Sequence, residues 1–237
     1  MTTKTVALVT GGNRGLGLEI ARQLGQQGML VVIGARELPK GEAAAEALRA
    51  EGLDARAVKL DVASERDIAA LPAFFRTTFG RLDVLVNNAG GALWEGDDLE
   101  TFRRTFEANV FGVVAVTYAL LPLLKESPAG RIVNQSSILG SLTTLEQAPE
   151  MFSTFLQPAY TASKAALNGF TVALAQKLAG TPVKVNSAHP GWVRTELGGP
   201  KAPMTVEAGA RTAVMLATLP AEGPTGQFFH QGERLPW

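Results

Sequence analysis

The sequence predicts one doubly wound α/β domain over residues 1–237. Three observations carry that expectation. Short β-branched apolar runs alternate with segments of helical period, the first run opens at once into a glycine-rich turn, and no linker or repeat divides the chain. Strands that are apolar throughout and separated by helices indicate a parallel sheet covered on both faces, and right-handed crossovers then wind it both ways. Residues 6–9 form the first strand, 10–17 the turn and 18–27 a helix. Residues 29–34 make a second strand, and the Ala/Glu/Leu-rich stretch 41–51 a helix ended near Gly52. The third strand covers 55–60, and Ser64, with Asp67 three residues on, caps a helix reaching about Phe79. Residues 82–86 form strand four, 97–125 one long or bent helix, 130–135 strand five, 159–178 a long helix and 183–187 strand six. A helix over 205–218 and a short strand at 226–229 bring the count to about seven strands. Ligands of such sheets lie outside the carboxyl ends of the strands, so chemistry is expected there.

Composition narrows the function. Lys+Arg 22 equals Asp+Glu 22, so neither a nucleic-acid surface nor a polybasic membrane patch is expected. The absence of cysteine excludes disulfides, thiolate metal sites and a cysteine nucleophile; two histidines, His189 and His230, are too few for a His-rich metal cage, and no metal is expected. No signal-peptide pattern precedes the first strand. The longest apolar stretch, 110–124, contains Gly112, Thr117, Tyr118 and Pro122 and is expected to fall short of a bilayer span. The expectation is a cytoplasmic protein.

The turn reads Thr10-Gly11-Gly12-Asn13-Arg14-Gly15-Leu16-Gly17, between a strand and a helix. Glycines there allow a tight turn and close backbone approach, so a pyrophosphate can meet the unpaired N–H groups of the helix start, as in a Rossmann-type dinucleotide site. The second strand runs out in Ala35-Arg36, where a site for NAD commonly places an acid. Arg36 and Arg14 instead suit a 2′-phosphate through charge-assisted hydrogen bonds, which predicts NADP(H). Glu37 would meet a 2′-hydroxyl if the strand ended one residue later, and both arginines also suit a solvated surface.

Tyr160 and Lys164 lie four residues apart at the start of a helical segment and share one face. A neighbouring ammonium favours phenolate and is expected to bring proton exchange closer to neutrality, the chemistry a carbonyl oxygen needs when hydride reaches its carbon. Strand five ends in Asn134-Gln135-Ser136-Ser137, placing the Ser137 hydroxyl at the carboxyl edge, suited either to a carbonyl oxygen or to capping a turn. Strand four ends in the polar crossing Asn87-Asn88-Ala89-Gly90-Gly91, and Asn109 interrupts an apolar helical stretch, where its amide must find partners.

With these residues in order, the chain resembles the short-chain dehydrogenase/reductase family over nearly its whole length. The matching motifs are the turn 10–17, Asp61-Val62, 87–90, Asn109, Ser137, Tyr160 with Lys164, and Pro190-Gly191. Gly12-Asn13-Arg14-Gly15 and the closing Leu235-Pro236-Trp237 are similar to the carbonyl-reductase-like branch. The resemblance implies that Tyr160 donates the proton in reduction, that Lys164 lowers its pKa and binds the nicotinamide ribose, and that Ser137 orients the substrate oxygen. It implies that Asn109 holds a water linking Lys164 to solvent, that Asp61 and Val62 meet the adenine, and that Asn88, Ala89 and Gly90 line the cofactor trough. It assigns the phosphate turn to Gly11, Asn13, Arg14, Gly15, Leu16 and Gly17, and the nicotinamide carboxamide to Pro190, Gly191, Val193 and Thr195. His189 is then a structural neighbour of that turn.

The chain departs from the family's pattern between Ser137 and Tyr160, which stand 23 positions apart, a longer interval than usual. The extra segment, near 138–157, carries Met151, Phe152, Phe155 and Leu156. These need a surface to cover, and covering the neighbouring long helices predicts a monomer; a segment that only lids the substrate would leave the helices free to dimerise. Trp94, Phe152, Phe155 and Trp192 flank the expected reacting edge and predict an apolar or aromatic carbonyl substrate, although aromatics also serve as satellite core. The expected activity is NADPH-dependent reduction of aldehydes or ketones. Its alternative is a catalytically silent nucleotide-sensing regulator, whose sign would be loss of Tyr160, Lys164 or Ser137; all three are present. An extended-branch epimerase would need more chain after Gly191, and an enoyl reductase a wider Tyr–Lys spacing.

Overall fold

In the computed structural model, which describes residues 4–93, 96, 98–148, 150 and 156–237, eight strands form one sheet in the order β3-β2-β1-β4-β5-β6-β7-β8. The strands are β1 Val6–Thr10, β2 Leu30–Ala35, β3 Ala55–Lys59, β4 Val84–Asn87, β5 Arg131–Gln135, β6 Lys184–Ala188, β7 Phe228–His230 and β8 Glu233–Leu235. Seven run parallel; β8 returns antiparallel to β7. The expected count of about seven lacks β8, because three exposed or half-exposed residues, Glu-Arg-Leu, carry no apolar run and become a strand by pairing with β7.

Helices cover both faces. On one side α1 Gly15–Gln26 and α2 Leu38–Ala50 lie with the last long helix, Val206–Ala217; on the other lie α3 Glu65–Thr78 and the long helices 112–126 and 158–177. Alternate strand residues feed the two cores. Val9, Ile33, Val86 and Val133 pack toward α1 and α2, while Leu8, Val32, Leu85 and Ile132 pack toward α3. Burial on both faces explains why these strands read as continuous apolar runs. Ser64 caps α3 as expected, accepting from Asp67 N at 3.3 Å.

The stretch expected as one long or bent helix is continuous over Leu99–Glu126 but changes form within it. It runs as α4 Leu99–Phe106, a π-helical turn Glu107–Phe111 and α5 Gly112–Glu126. By length and composition it is sufficient to cross a bilayer, contrary to the expectation that 110–124 falls short, since Gly112 and Pro122 stay inside the helix. Val116, Leu120 and Leu124 nonetheless bury against the sheet side, as in a core helix.

Among the described residues of the extra segment, a 3₁₀ turn Ile138–Gly140 leads into α6 Leu142–Gln147. Thr143 N donates to the carbonyl of Trp237 at 2.9 Å, and Trp237 stacks on Phe228 with ring centroids 5.7 Å apart. Trp94, Met151, Phe152 and Phe155 lie outside the described residues; Leu156 is exposed. The next helices are α7 Pro158–Lys177 and α8 Val206–Ala217.

Candidate active site

The site forms where β1, β4, β5 and β6 end. At β1 the chain turns into α1, whose N-cap Arg14 makes no side-chain capping bond and whose first turn carries no acid. The N–H groups of that helix start face outward and favour an anion. Gly17 is required there by close approach: a Cβ would stand 2.4 Å from both Asn88 Nδ2 and the Gly11 carbonyl. The Asn88 amide donates to the Thr10 carbonyl at 3.0 Å, and Thr10 Oγ1 accepts from the N–H groups of Asn88 and Ala89. Asn88 thus ties the end of β4 to the glycine turn.

At the next strand end, β2 stops at Ala35 and Arg36 follows, exposed. Glu37 starts α2 as its N-cap and pairs with Lys40 at 2.6 Å. Arg36 thus stands next to the strand end, with Glu37 one residue further on. Asp61 accepts from Ala63 N at 3.0 Å and, with Val62, follows β3 on the same edge.

At the reacting end, Ser137 Oγ caps the 3₁₀ turn by accepting from Leu139 N at 3.2 Å and is also hydrogen-bonded to the Tyr160 side chain. The turn-capping role read for that hydroxyl is present. Lys164 is 6% exposed, and its ammonium donates to the Gln135 carbonyl at 2.8 Å while standing 5.5 Å from the centre of the Tyr160 ring. Gly140 lets α7 come this near, because a Cβ would lie 2.6 Å from the Lys164 carbonyl carbon.

The electrostatics correct one expectation. Burial pushes the Tyr160 phenol up to about 12, with the Ser137 hydrogen bond pulling it down, and burial lowers the Lys164 ammonium to about 8. Loss of water outweighs the Ser137 hydrogen bond, so the phenol of the protein alone is not brought toward neutrality. It remains protonated at neutral pH.

Asn109 sits in the π-helical turn at 1% exposure. Its Oδ1 accepts from Gly91 N at 2.9 Å, and its Nδ2 donates to the Gly91 carbonyl at 2.9 Å and to Ser163 Oγ at 3.0 Å. Ser163 in turn donates to the Tyr160 carbonyl at 2.7 Å. Both amide hydrogens of Asn109 are spent on the protein, so a water at this residue would donate to one of its carbonyl oxygens. Its side chain positions the β4 loop against α7.

After β6, Pro190-Gly191 turns the chain back toward α1. Val193 buries against Gly209 of α8, the Thr195 methyl lies over Gly15, and Glu196 forms an ion pair with Arg14. Trp192 is 45% exposed with its Nε1 donating to the Gly198 carbonyl at 2.7 Å. The segment after β6 and the glycine turn thereby face each other across the sheet edge.

Sequence reasoning missed the residues that set the height of α7. Asn87 donates to Asn134 Oδ1 at 2.8 Å, Asn134 to Thr171 at 2.9 Å, and Ser136 to Asn168 at 2.7 Å. Lys164, Asn168 and Thr171 recur at helical spacing, which was the available signal. His189 Nδ1 accepts from Ile138 N at 3.2 Å, so it is a structural neighbour of both turns.

Burial and His230 hold His189 down at about 3, against 6.5 in an open chain. Below about pH 6.5 the unfolded chain takes up a proton that the folded one refuses, so this contribution to stability falls with pH until about 3. Between pH 7 and pH 5 the loss is about 2 kcal/mol. Denaturant unfolding at both pH values is expected to show a smaller loss for His189→Asn, whose amide oxygen retains the acceptor; equal losses would contradict this role.

Comparison with known proteins places this geometry. The family model described as short chain dehydrogenase matches residues 5–205. Carbonyl reductase (NADPH) 1 of Sus scrofa is 38% identical over 274 aligned positions, covering 98% of this chain and 94% of the relative. The NADPH-bound carbonyl reductase from chicken fatty liver superposes with TM-score 0.85 at 27% identity over 100% of both chains. Salutaridine reductase of Papaver somniferum gives 0.83 at 32% identity over 95% of this chain and 99% of its own. With its sheet order, glycine turn and Ser137–Tyr160–Lys164 cluster in place, the chain belongs to the short-chain dehydrogenase/reductase family.

Proposed function

We propose that this protein is an NADPH-dependent reductase of aldehydes and ketones, reversible as an alcohol dehydrogenase, acting in the cytoplasm as a monomer. The observation that carries the reading is the meeting of Ser137, Tyr160 and Lys164 at the end of β5, beside the uncapped start of α1. The carbonyl reductases among the relatives support the substrate class, and the NADPH bound to the chicken enzyme supports the cofactor. The monomer is inferred from Met151, Phe152, Phe155 and Leu156; the first three lie outside the described residues, and Leu156 is exposed and covers no neighbouring helix.

The residues present fit NADP(H). The free N–H groups of α1 suit the pyrophosphate, with Gly11, Asn13, Gly15, Leu16 and Gly17 forming the approach. Arg36 takes the 2′-phosphate, with Arg14 available at the cost of its exposed pair with Glu196. Asp61 and Val62 border the adenine, and Ala89 and Gly90 the trough that Asn88 holds to the turn. Pro190, Gly191, Val193 and Thr195 close over the nicotinamide end. When bound, the cofactor supplies the hydride.

The chain's own residues handle the proton. Tyr160 Oη keeps it at neutral pH, since burial holds the phenol well above that range, and passes it to the carbonyl oxygen that Ser137 orients. Lys164 brings a positive charge beneath the ring and stabilises the phenolate left behind. Asn109 and Ser163 keep α7 and the β4 loop in register for this.

Substrates are apolar or aromatic carbonyls, for which Trp192 offers a half-exposed ring at the edge. Following NADPH consumption with aryl ketones, aldehydes, sugars and keto acids tests the reading. Higher kcat/KM for aryl ketones is expected. A clear preference for underivatised sugars or small charged keto acids would count against an apolar site, and no turnover of any carbonyl against the reductase itself.

A further inference from the structure

β8 returns along β7 with Leu235 in register with Phe228, so Trp237, two positions on, lies on the same face. Its ring stacks on that of Phe228, with centroids 5.7 Å apart and planes 12° from parallel, and Phe228 is fully buried. The His189 ring also stands against Phe228, at 6.5 Å. These two neighbours of Phe228 receive the chain that follows Ser137. Ile138 N donates to His189 Nδ1 at 3.2 Å, and Thr143 N donates to the main-chain oxygen of Trp237 at 2.9 Å. Thr143 N is one of the first-turn donors that a helix cannot satisfy by itself. α6 has no core of its own to fix it: none of its residues is buried, and Leu142 is 65% exposed. Its N-cap Ser141 is fully buried and accepts from Thr144 N at 3.1 Å, so a shift of α6 passes to the 3₁₀ turn that Ser137 caps.

We propose that Trp237 is a positioning residue for carbonyl reduction. Its stacking on Phe228 fixes where its main-chain oxygen holds α6, and α6 holds the 3₁₀ turn. The turn in turn sets the Ser137 hydroxyl that is bonded to the Tyr160 side chain. Trp237 therefore acts through Ser137 and not on the reacting atoms. Misplacing a reacting group by about 1 Å costs up to about 100-fold in rate, so a remote tie carries a measurable effect. The inference rests on the role of Ser137 proposed above.

Three measurements test it on Trp237→Ala, Trp237→Leu and Trp237→Phe: steady-state reduction of an aryl ketone, fluorescence titration of NADPH, and hydrogen exchange over residues 138–147 without cofactor. Trp237→Ala and Trp237→Leu cannot stack and are expected to lose roughly 10- to 100-fold in kcat/KM. NADPH affinity should stay unchanged in both, and exchange over 138–147 should quicken. Trp237→Phe keeps a flat ring over Phe228 and should recover most of the rate. In a Ser137→Ala background Trp237→Ala should add little to the loss, because the group it positions is already gone. Near-full kcat/KM in Trp237→Ala, the same further loss on top of Ser137→Ala, a matching fall in NADPH affinity, or unchanged exchange would each overturn the proposal. Loss of folding in both Trp237→Ala and Trp237→Leu would also overturn it, by making Trp237 a core residue. If the unchanged chain reduces no carbonyl, the reductase reading fails and the catalytic role of Trp237 with it, while quicker exchange in Trp237→Ala would still show the tie to α6.

Discussion

Tyr160→Phe is expected to bind NADPH nearly as the unchanged enzyme does and to lose about 10²- to 10⁴-fold in kcat for carbonyl reduction, the usual contribution of a positioned proton donor. The substitution removes one hydroxyl and its hydrogen bond with Ser137, leaving the ring over Lys164. Lys164→Ala reaches further. It removes the buried ammonium that bonds the Gln135 carbonyl, so both turnover and cofactor affinity are expected to fall. Steady-state kinetics with an aryl ketone, paired with fluorescence titration of NADPH, separates the two. Near-full kcat in Tyr160→Phe would require a different proton donor.

Arg36→Asp carries the second large effect. The ratio of kcat/KM for NADPH over NADH is expected to fall about 10- to 150-fold, the worth of one charge-assisted contact at roughly 1.5–3 kcal/mol. The introduced carboxylate repels a 2′-phosphate and accepts from a 2′-hydroxyl, which drives the same ratio further down. Arg14→Ala should move it less, because Arg14 must leave Glu196 to reach the phosphate. Equal efficiency with both cofactors in the unchanged enzyme would remove the assignment of these arginines.

The two substitutions differ in how visible their basis was. Arg36 was readable because strand 2 is short and apolar and its end could be read to within one residue; that Glu37 pairs with Lys40 was not, since it depends on how α2 begins. Tyr160 and Lys164 were visible as a helical pair with Ser137 at a strand end. Their electrostatics were not, because the phenol's rise to about 12 comes from burial, which exists only once the chain is folded. The same limit hid the fate of Asn109. A polar residue in an apolar helix signals an obligation to bond, yet Gly91 and Ser163, 18 and 54 positions away, become its partners only once α4, α7 and the β4 loop converge.

From the sequence alone came the alternation of strand and helix, the parallel sheet covered on both faces, the glycine turn at its edge and the candidate reacting trio. These are local or periodic properties, set by side-chain spacing and by which residues tolerate tight turns. Tertiary structure alone decided the strand order, the antiparallel β8, the π-helical turn that seats Asn109, the hydrogen bonds that hold α7 to β5, and the stacking of Trp237 on Phe228. Each depends on what distant segments bring into contact and on how far they exclude water, and neither quantity is carried by the spacing of residues along the chain.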